Sequence, residues 1–234
     1  MFYCGLCVNA TSAPNIRSPP FGTKQLRDSL PPVPVHVYFD TETTSLAKDC
    51  AIIQFSGYYK SKVVFNEYIV PTQKISVGAS AVNGLEFIDG EMFYRGTKVP
   101  CMPLDQCLRK FLTWVEQCAA AGKGKVTLIG HNSQRFDAPR LVRAVNCCGL
   151  LPRLRKVEPC FSDTLPLFRK LYNGKTTDFS QPALVKNFMA GDTYEAHNAC
   201  EDAKMLAKLV KNAGATSKDL DEFSFSLDSV LQKL

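Results

Sequence analysis

The chain has 234 residues, 45% of them hydrophobic and 21% charged, which is enough for one globular domain with a substantial core plus additional terminal chain. It contains no run of about 18 or more apolar residues, so a membrane-spanning helix and a membrane partner are not expected, and residues 1–15 lack the basic leader and apolar stretch of a secretory signal. The ten cysteines show no paired metal-site spacing, so reduced thiols and a cytoplasmic or nuclear setting are expected, while the net charge of +6 permits a polyanionic partner without requiring one.

Residues 1–32 carry Pro14, Pro19, Pro20, Pro31 and Pro32 with little periodicity and read as a flexible lead-in. From Val33 the pattern alternates: Val33, Val35, Val37 and Phe39 face one way, Pro34, His36, Tyr38 and Asp40 the other, the signature of a strand. "CAIIQFSGYY" and "KVVFNEYIV" follow as two more strands, which with the first make an antiparallel meander. The stretch "SAVNGLEFIDG" reads as loop. Leu104, Leu108, Phe111, Leu112, Val115 and Ala119 then recur at helical spacing over 104–121. "KVTLIG" is a short buried strand, Leu141, Val142 and Val145 mark a helix after Asp137, and "EPCFSDTL" is a last short strand. Helical patterns cover 166–171, 182–189 and, most clearly, 199–211. Residues 213–234 read as a polar tail ending in a short amphipathic helix, so the expected domain spans 33–212. The order implies an α/β fold with a mixed sheet, three antiparallel strands plus parallel strands, flanked by helices.

Three acidic positions stand out. In a strand, residues i and i+2 share a face, so Asp40 and Glu42 of "FDTET" project together, roughly 7 Å apart. A bare D-x-E is more often two solvated acids closing a strand. Asp137, in "HNSQRFDAPRLV", follows a strand and opens a helix with Pro139 in its first turn, a place that an ordinary N-cap would also occupy. Asn198 and Glu201 resemble a capping box that starts the last long helix, and Asp202 then shares the face of Leu206 and Leu209. An acid on an apolar stripe is costly unless something pairs with it. His197, just outside that helix, can swing toward the same pocket, although a lone histidine there is more often a surface residue.

Four carboxylates in one pocket would raise one another's pKa. Divalent cations relieve that repulsion, and all-oxygen ligation suits Mg²⁺ or Mn²⁺. Two such ions about 4 Å apart can clamp a scissile phosphate, and a histidine can take the proton of the attacking water.

"FDTET" with Asp40 and Glu42, "HNSQRFD" with Asp137, and "HNACED" with His197 and Asp202 together resemble the three motifs of the DEDDh, or DnaQ-like, 3′–5′ exonucleases, over about residues 33–212. The compact single domain looks most like the TREX-type and PML-like enzymes. The resemblance implies a ribonuclease-H-like sheet and a hydrolase that releases nucleoside 5′-monophosphates from DNA 3′ ends, single-stranded or frayed. It also implies two Mg²⁺ ions per site, with Mn²⁺ able to substitute, held by Asp40, Glu42, Asp137 and Asp202, and His197 as the base. Leu46 matches the residue that wedges beside the terminal base, Val82 the apolar residue facing it, and Phe136 an apolar or aromatic residue near the terminal sugar. Thr41 matches a position offering its backbone to the terminal 3′-hydroxyl, and His131 and Asn132 match the "HN" that organises the second motif. Ordinary packing would account for each of these substrate-binding positions too. One departure is Thr44-Ser45-Leu46, where the family usually has T-G-L. An RNA-trimming relative and a catalytically silent binding domain are the competing readings. The sequence leaves the oligomeric state, including a homodimer, open.

Overall fold

The computed structural model describes residues 34–60 and 63–234, and the expected lead-in at 1–32 lies outside the described residues. The strand read from Val33 onward is β1 (Val35–Thr43), and it runs through both acids instead of ending before them. β2 (Ile52–Tyr59) and β3 (Val63–Ile69) complete the expected antiparallel meander. The stretch read as loop, 80–90, carries the end of α1 (Val77–Asn83) and β4 (Leu85–Ile88), which forms a small antiparallel sheet with β5 (Glu91–Tyr94) and β6 (Thr97–Val99) just beyond it. Small residues in α1 and three- to four-residue strands leave no apolar periodicity to read.

β7 (Cys101–Met102) adds an edge parallel to β3, and α2 (Leu104–Gly122) follows as its spacing requires. Then come β8 (Val126–Gly130), α3 (Asp137–Cys147), α4 (Leu151–Val157), β9 (Cys160–Asp163), α5 (Thr164–Leu171), α6 (Gln181–Phe188) and α7 (Ala199–Asn212). The segment past Asn212 is not a tail. It forms α8 (Ser217–Glu222), β10 (Ser224–Ser226) and α9 (Leu227–Leu231), and β10 pairs with β9 as the far edge of the main sheet. Its apolar anchors, Leu220, Leu227 and Val230, are too sparse to announce a core segment, yet all three are buried.

The main sheet has the order β10-β9-β8-β1-β2-β3-β7. β8 and β9 run parallel to β1 and to each other, while β2 runs antiparallel beside β1 and β3 antiparallel beside β2, which is the ribonuclease-H-like arrangement. Helices cover both faces. Val35, Val37 and Phe39 of β1 pack with Phe111, Leu112 and Leu141 of α2 and α3, together with residues of α4 and α9. On the other face Tyr38 and Ile129 meet Leu167, Phe168, Leu184, Leu206 and Leu209 of α5, α6 and α7. The alternation of β1 therefore sends Asp40 and Glu42 to the face covered by α7.

Among the described residues no helix is long and apolar enough to cross a membrane.

Candidate active site

Asp40 and Glu42 lie at the C-terminal end of the central strand, side by side on one face, as the i, i+2 spacing requires. Asp202 sits in the first turn of α7, on the face that buries Leu206 and Leu209, so the apolar stripe that docks the helix also aims the acid at the end of β1. One carboxylate oxygen from each of Asp40, Glu42 and Asp202 lies within 4.8 Å of the others. Asp137 arrives from the opposite helical layer. It is the first residue of α3 rather than its cap, is buried, and accepts a 2.6 Å hydrogen bond from Thr41 Oγ1. Thr41 points to that layer because it alternates with Asp40 and Glu42, so one strand supplies two acids on one face and orients the third acid from the other.

The turn into α3 is tight. A Cβ on Gly130 would come within 2.7 Å of Ser133 Cβ and 3.3 Å of the Phe39 carbonyl, so only glycine passes there. Asn132 follows with φ +56°, and His197 before α7 has φ +65°. Both are left-handed conformations, which non-glycine residues take infrequently and which tend to gather at functional sites.

Asn198 caps α7 as expected, its Oδ1 accepting from the N–H groups of Cys200 and Glu201. The capping box is not completed: Glu201 instead pairs with Lys204 at 2.8 Å, an i, i+3 neighbour on the exposed side of the same helix. Two of the residues missed by sequence reasoning hold α7 and Asp202 in place. Gln54, fully buried on β2, accepts from the Ala199 N–H at 3.2 Å, tying the helix start to the sheet. Gln181 Nε2 donates to both the backbone and the carboxylate of Asp202, each at 3.0 Å. Tyr194 buries its hydroxyl without a hydrogen bond of ordinary geometry among the described residues, and burial followed by the neighbouring Asp202 raises its pKa. Their only sequence signal was a polar residue where a core residue would fit.

The acids are crowded and dry, so all four have raised pKa values. Burial, then Asp137, Asp202 and Glu42, holds Asp40 well above the ordinary carboxylate range. Burial, followed by Asp202 and Asp137, lifts Glu42 to about 8. Burial raises Asp137 to about 7, partly offset by the Thr41 hydrogen bond and the Arg140 charge, and raises Asp202 to about 6. A set of hard oxygen donors that resists ionisation when bare is a site that a divalent cation would stabilise. Asp40, Glu42 and Asp202 are close enough to share one ion, and Asp137 is near enough for its charge to raise the pKa of Asp40.

These acids line one cavity of about 960 Å³ with His197, Thr41, Leu46, Val82, His131, Asn132 and Phe136, so every residue singled out in the sequence reaches the same space. Leu46 is 86% exposed and Val82 52% exposed, an unusual presentation for large apolar side chains and one suited to an apolar ligand face. His131 has no free ring nitrogen. Its Nε2 donates to the Phe179 carbonyl at 2.8 Å, which leaves Nδ1 to accept from the Thr164 hydroxyl at 2.9 Å. Burial lowers its pKa, consistent with that neutral tautomer. His131 thus braces the cavity wall. Two basic residues of α4 are engaged on the protein surface, Arg153 bonding Glu116 and Arg155 bonding Asp228.

No family model matches the chain, and no curated protein matches it. Solved structures do. The zinc-bound complex of E. coli exonuclease I with single-stranded DNA aligns with a TM-score of 0.60 and 17% identity, covering 81% of this chain and 42% of that one. E. coli exonuclease I with a dA16 oligonucleotide aligns at 0.60 and 15% identity, over 81% and 43%. The complex with a 5cy-dA13 oligonucleotide gives 0.59 and 17%, over 81% and 42%. The chain spans about two fifths of the length of these neighbours. At such identities the likeness is one of fold: this chain has the ribonuclease-H-like nuclease fold that exonuclease I also has.

Proposed function

We propose that this protein is a metal-dependent 3′–5′ exonuclease that releases nucleoside 5′-monophosphates from DNA, with single-stranded or frayed 3′ ends as its substrate. The observation that carries this reading is the convergence of Asp40, Glu42, Asp137, Asp202 and His197 on one cavity rimmed by exposed apolar side chains. Exonuclease I complexes with single-stranded DNA support the choice of substrate.

Asp40, Glu42 and Asp202, with Asp137, would hold Mg²⁺ or Mn²⁺. Bound there, divalent cations neutralise charge on the scissile phosphate and acidify the attacking water. The chain's own residues do the rest. Leu46, Val82 and Phe136 hold the terminal nucleoside between apolar surfaces. Thr41 fixes the rotamer of Asp137 through its 2.6 Å hydrogen bond, and Gln181 does the same for Asp202. His197, in the loop before α7, accepts the proton of the attacking water at a ring nitrogen.

The test is a digestion panel of 3′- and 5′-labelled single- and double-stranded DNA and RNA, with Mg²⁺ or EDTA. Stepwise release of mononucleotides from 3′ ends of DNA, abolished by EDTA, is expected. Preferred degradation of RNA would move the assignment to an RNA-trimming enzyme, and binding without cleavage in Mg²⁺ would make the chain a silent binder.

A further inference from the structure

Arg140 makes four hydrogen bonds from a buried position, and beyond its charge effect on Asp137 no step above uses it. It lies in the first turn of α3, is 6% exposed, and stands behind the cavity wall rather than on it. Among the described residues none of its hydrogen-bond partners is a carboxylate. Nε donates to Cys50 Sγ at 2.9 Å, Nη1 to the Phe136 carbonyl at 2.9 Å, and Nη2 to the carbonyls of Leu46 at 3.2 Å and Ala47 at 2.7 Å. The guanidinium also stacks on the Phe136 ring, 3.6 Å from its centroid. Burying a cation with no carboxylate hydrogen-bonded to it is an expensive way to close a loop that core hydrophobes could have closed. What the arrangement provides is rigidity between two particular groups.

Those groups are the opposed apolar walls of the cavity. Leu46 sits at the tip of the turn after β1, 86% exposed, with no side-chain packing to hold it. The turn has some support of its own, from Thr43 Oγ1 to the Ser45 carbonyl at 2.7 Å and from the Ala47 N–H to Ser45 Oγ at 3.2 Å. Neither bond reaches α3. Arg140 does, and the neighbouring Arg143 adds a bond to the Lys48 carbonyl. The planar fork of a guanidinium can grip two consecutive carbonyls with one nitrogen while its other edge and its face hold a third group, which an ammonium cannot do.

We propose that Arg140 is a positioning residue that sets the separation of Leu46 and Phe136, and through them the fit of the substrate's 3′-terminal nucleoside. This inference rests on the exonuclease reading. Arg140 does not line the cavity and hydrogen-bonds to none of the four acids; its charge lowers the pKa of Asp137, an effect that a lysine's charge would keep, while its hydrogen bonds act on the two walls. Its loss should therefore weaken capture of the terminal nucleoside more than it slows chemistry at Asp40, Glu42 and Asp202.

The experiment is a double-mutant cycle of Arg140→Lys, which keeps the charge and loses the fork, with Leu46→Ala, which is too exposed to disturb folding. Steady-state kinetics on a short single-stranded DNA with Mg²⁺ give KM and kcat. Arg140→Lys should raise KM at least about tenfold with kcat changed by less than about threefold, and in the Leu46→Ala background its effect on KM should shrink to about twofold or less. Multiplicative effects in the cycle, or an unchanged KM in Arg140→Lys, would overturn the inference. Should Arg140→Lys not fold, Phe136→Leu takes its place in the cycle, since it removes the ring under the guanidinium without exposing the charge. Coupling of Phe136 to Leu46 is then expected, and strict additivity would overturn the proposal. Absence of cleavage by the wild type would instead remove the exonuclease reading, so the two failures are distinct.

Discussion

Replacing Asp202 by Asn tests the crowding of the acids directly. The side chains are isosteric, and Asn keeps the Oδ1 that accepts from Gln181 Nε2, so the change removes the charge while keeping that contact. In the folded chain the carboxyl of Asp202 is raised from 3.8 to about 6, chiefly by burial. The folded state therefore holds the proton more tightly than the unfolded chain, so stability that is fully present below about pH 4 is lost as pH rises through 6. A displacement from 3.8 to about 6 corresponds to about 3 kcal/mol, at about 1.4 kcal/mol for each pH unit. In EDTA at pH 8 Asp202→Asn should recover that amount. For a chain of this size it appears as a rise in Tm of roughly 6–12 °C, since each kcal/mol moves Tm by roughly 2–4 °C. At pH 5 about half the gain should remain, because the wild-type carboxyl is by then largely protonated when folded. In saturating Mg²⁺ the gain should vanish or reverse, because a cation that binds only the folded wild type stabilises it by mass action. Differential scanning calorimetry of both proteins at pH 5 and 8, with EDTA and with Mg²⁺, reads all of this. A variant no more stable than the wild type at pH 8 in EDTA, with no dependence on pH, would refute the charge-crowding account.

Other outcomes follow from the same geometry. Turnover should stop in EDTA and return with Mg²⁺ or Mn²⁺, while Ca²⁺ should bind and support little turnover because its coordination is looser; metal titrations of a labelled-oligonucleotide assay check this. His197→Ala should lower single-turnover cleavage at pH 7 by about 10²–10⁴-fold, the usual worth of a general base, and leave binding of a DNA 3′ end nearly unchanged. Thr41→Val, which removes the hydrogen bond to Asp137, should lower kcat by about tenfold, corresponding to about 1.4 kcal/mol for a bond to a charged acceptor, with a native circular dichroism spectrum.

Much of the site was legible before any coordinates because it depends on local periodicity. A period of two puts Asp40 beside Glu42 whatever the sheet does, and a helical period puts Asp202 over Leu206 and Leu209 wherever α7 docks. The order β1, β2, β3, α2, β8, α3, β9, α5, α6, α7 followed from the same patterns, without α1, the small sheet, β7 and α4 that lie between them, and the mixed sheet followed from that order. What the sequence could not carry were contacts between residues far apart in the chain. The Thr41–Asp137 bond spans 96 positions and the Arg140–Leu46 bond 94, and no periodicity relates such pairs. The anchoring of α7 by Gln54 is of the same kind, 145 positions apart. His131 matched a substrate-facing position, yet only the packing of α5 and the loop before α6 shows both its nitrogens taken. The small sheet and β10 escaped because strands of three or four residues are held by their neighbours rather than by their own pattern, so they exist only once the larger sheet and its helices are in place to pair with and cover them.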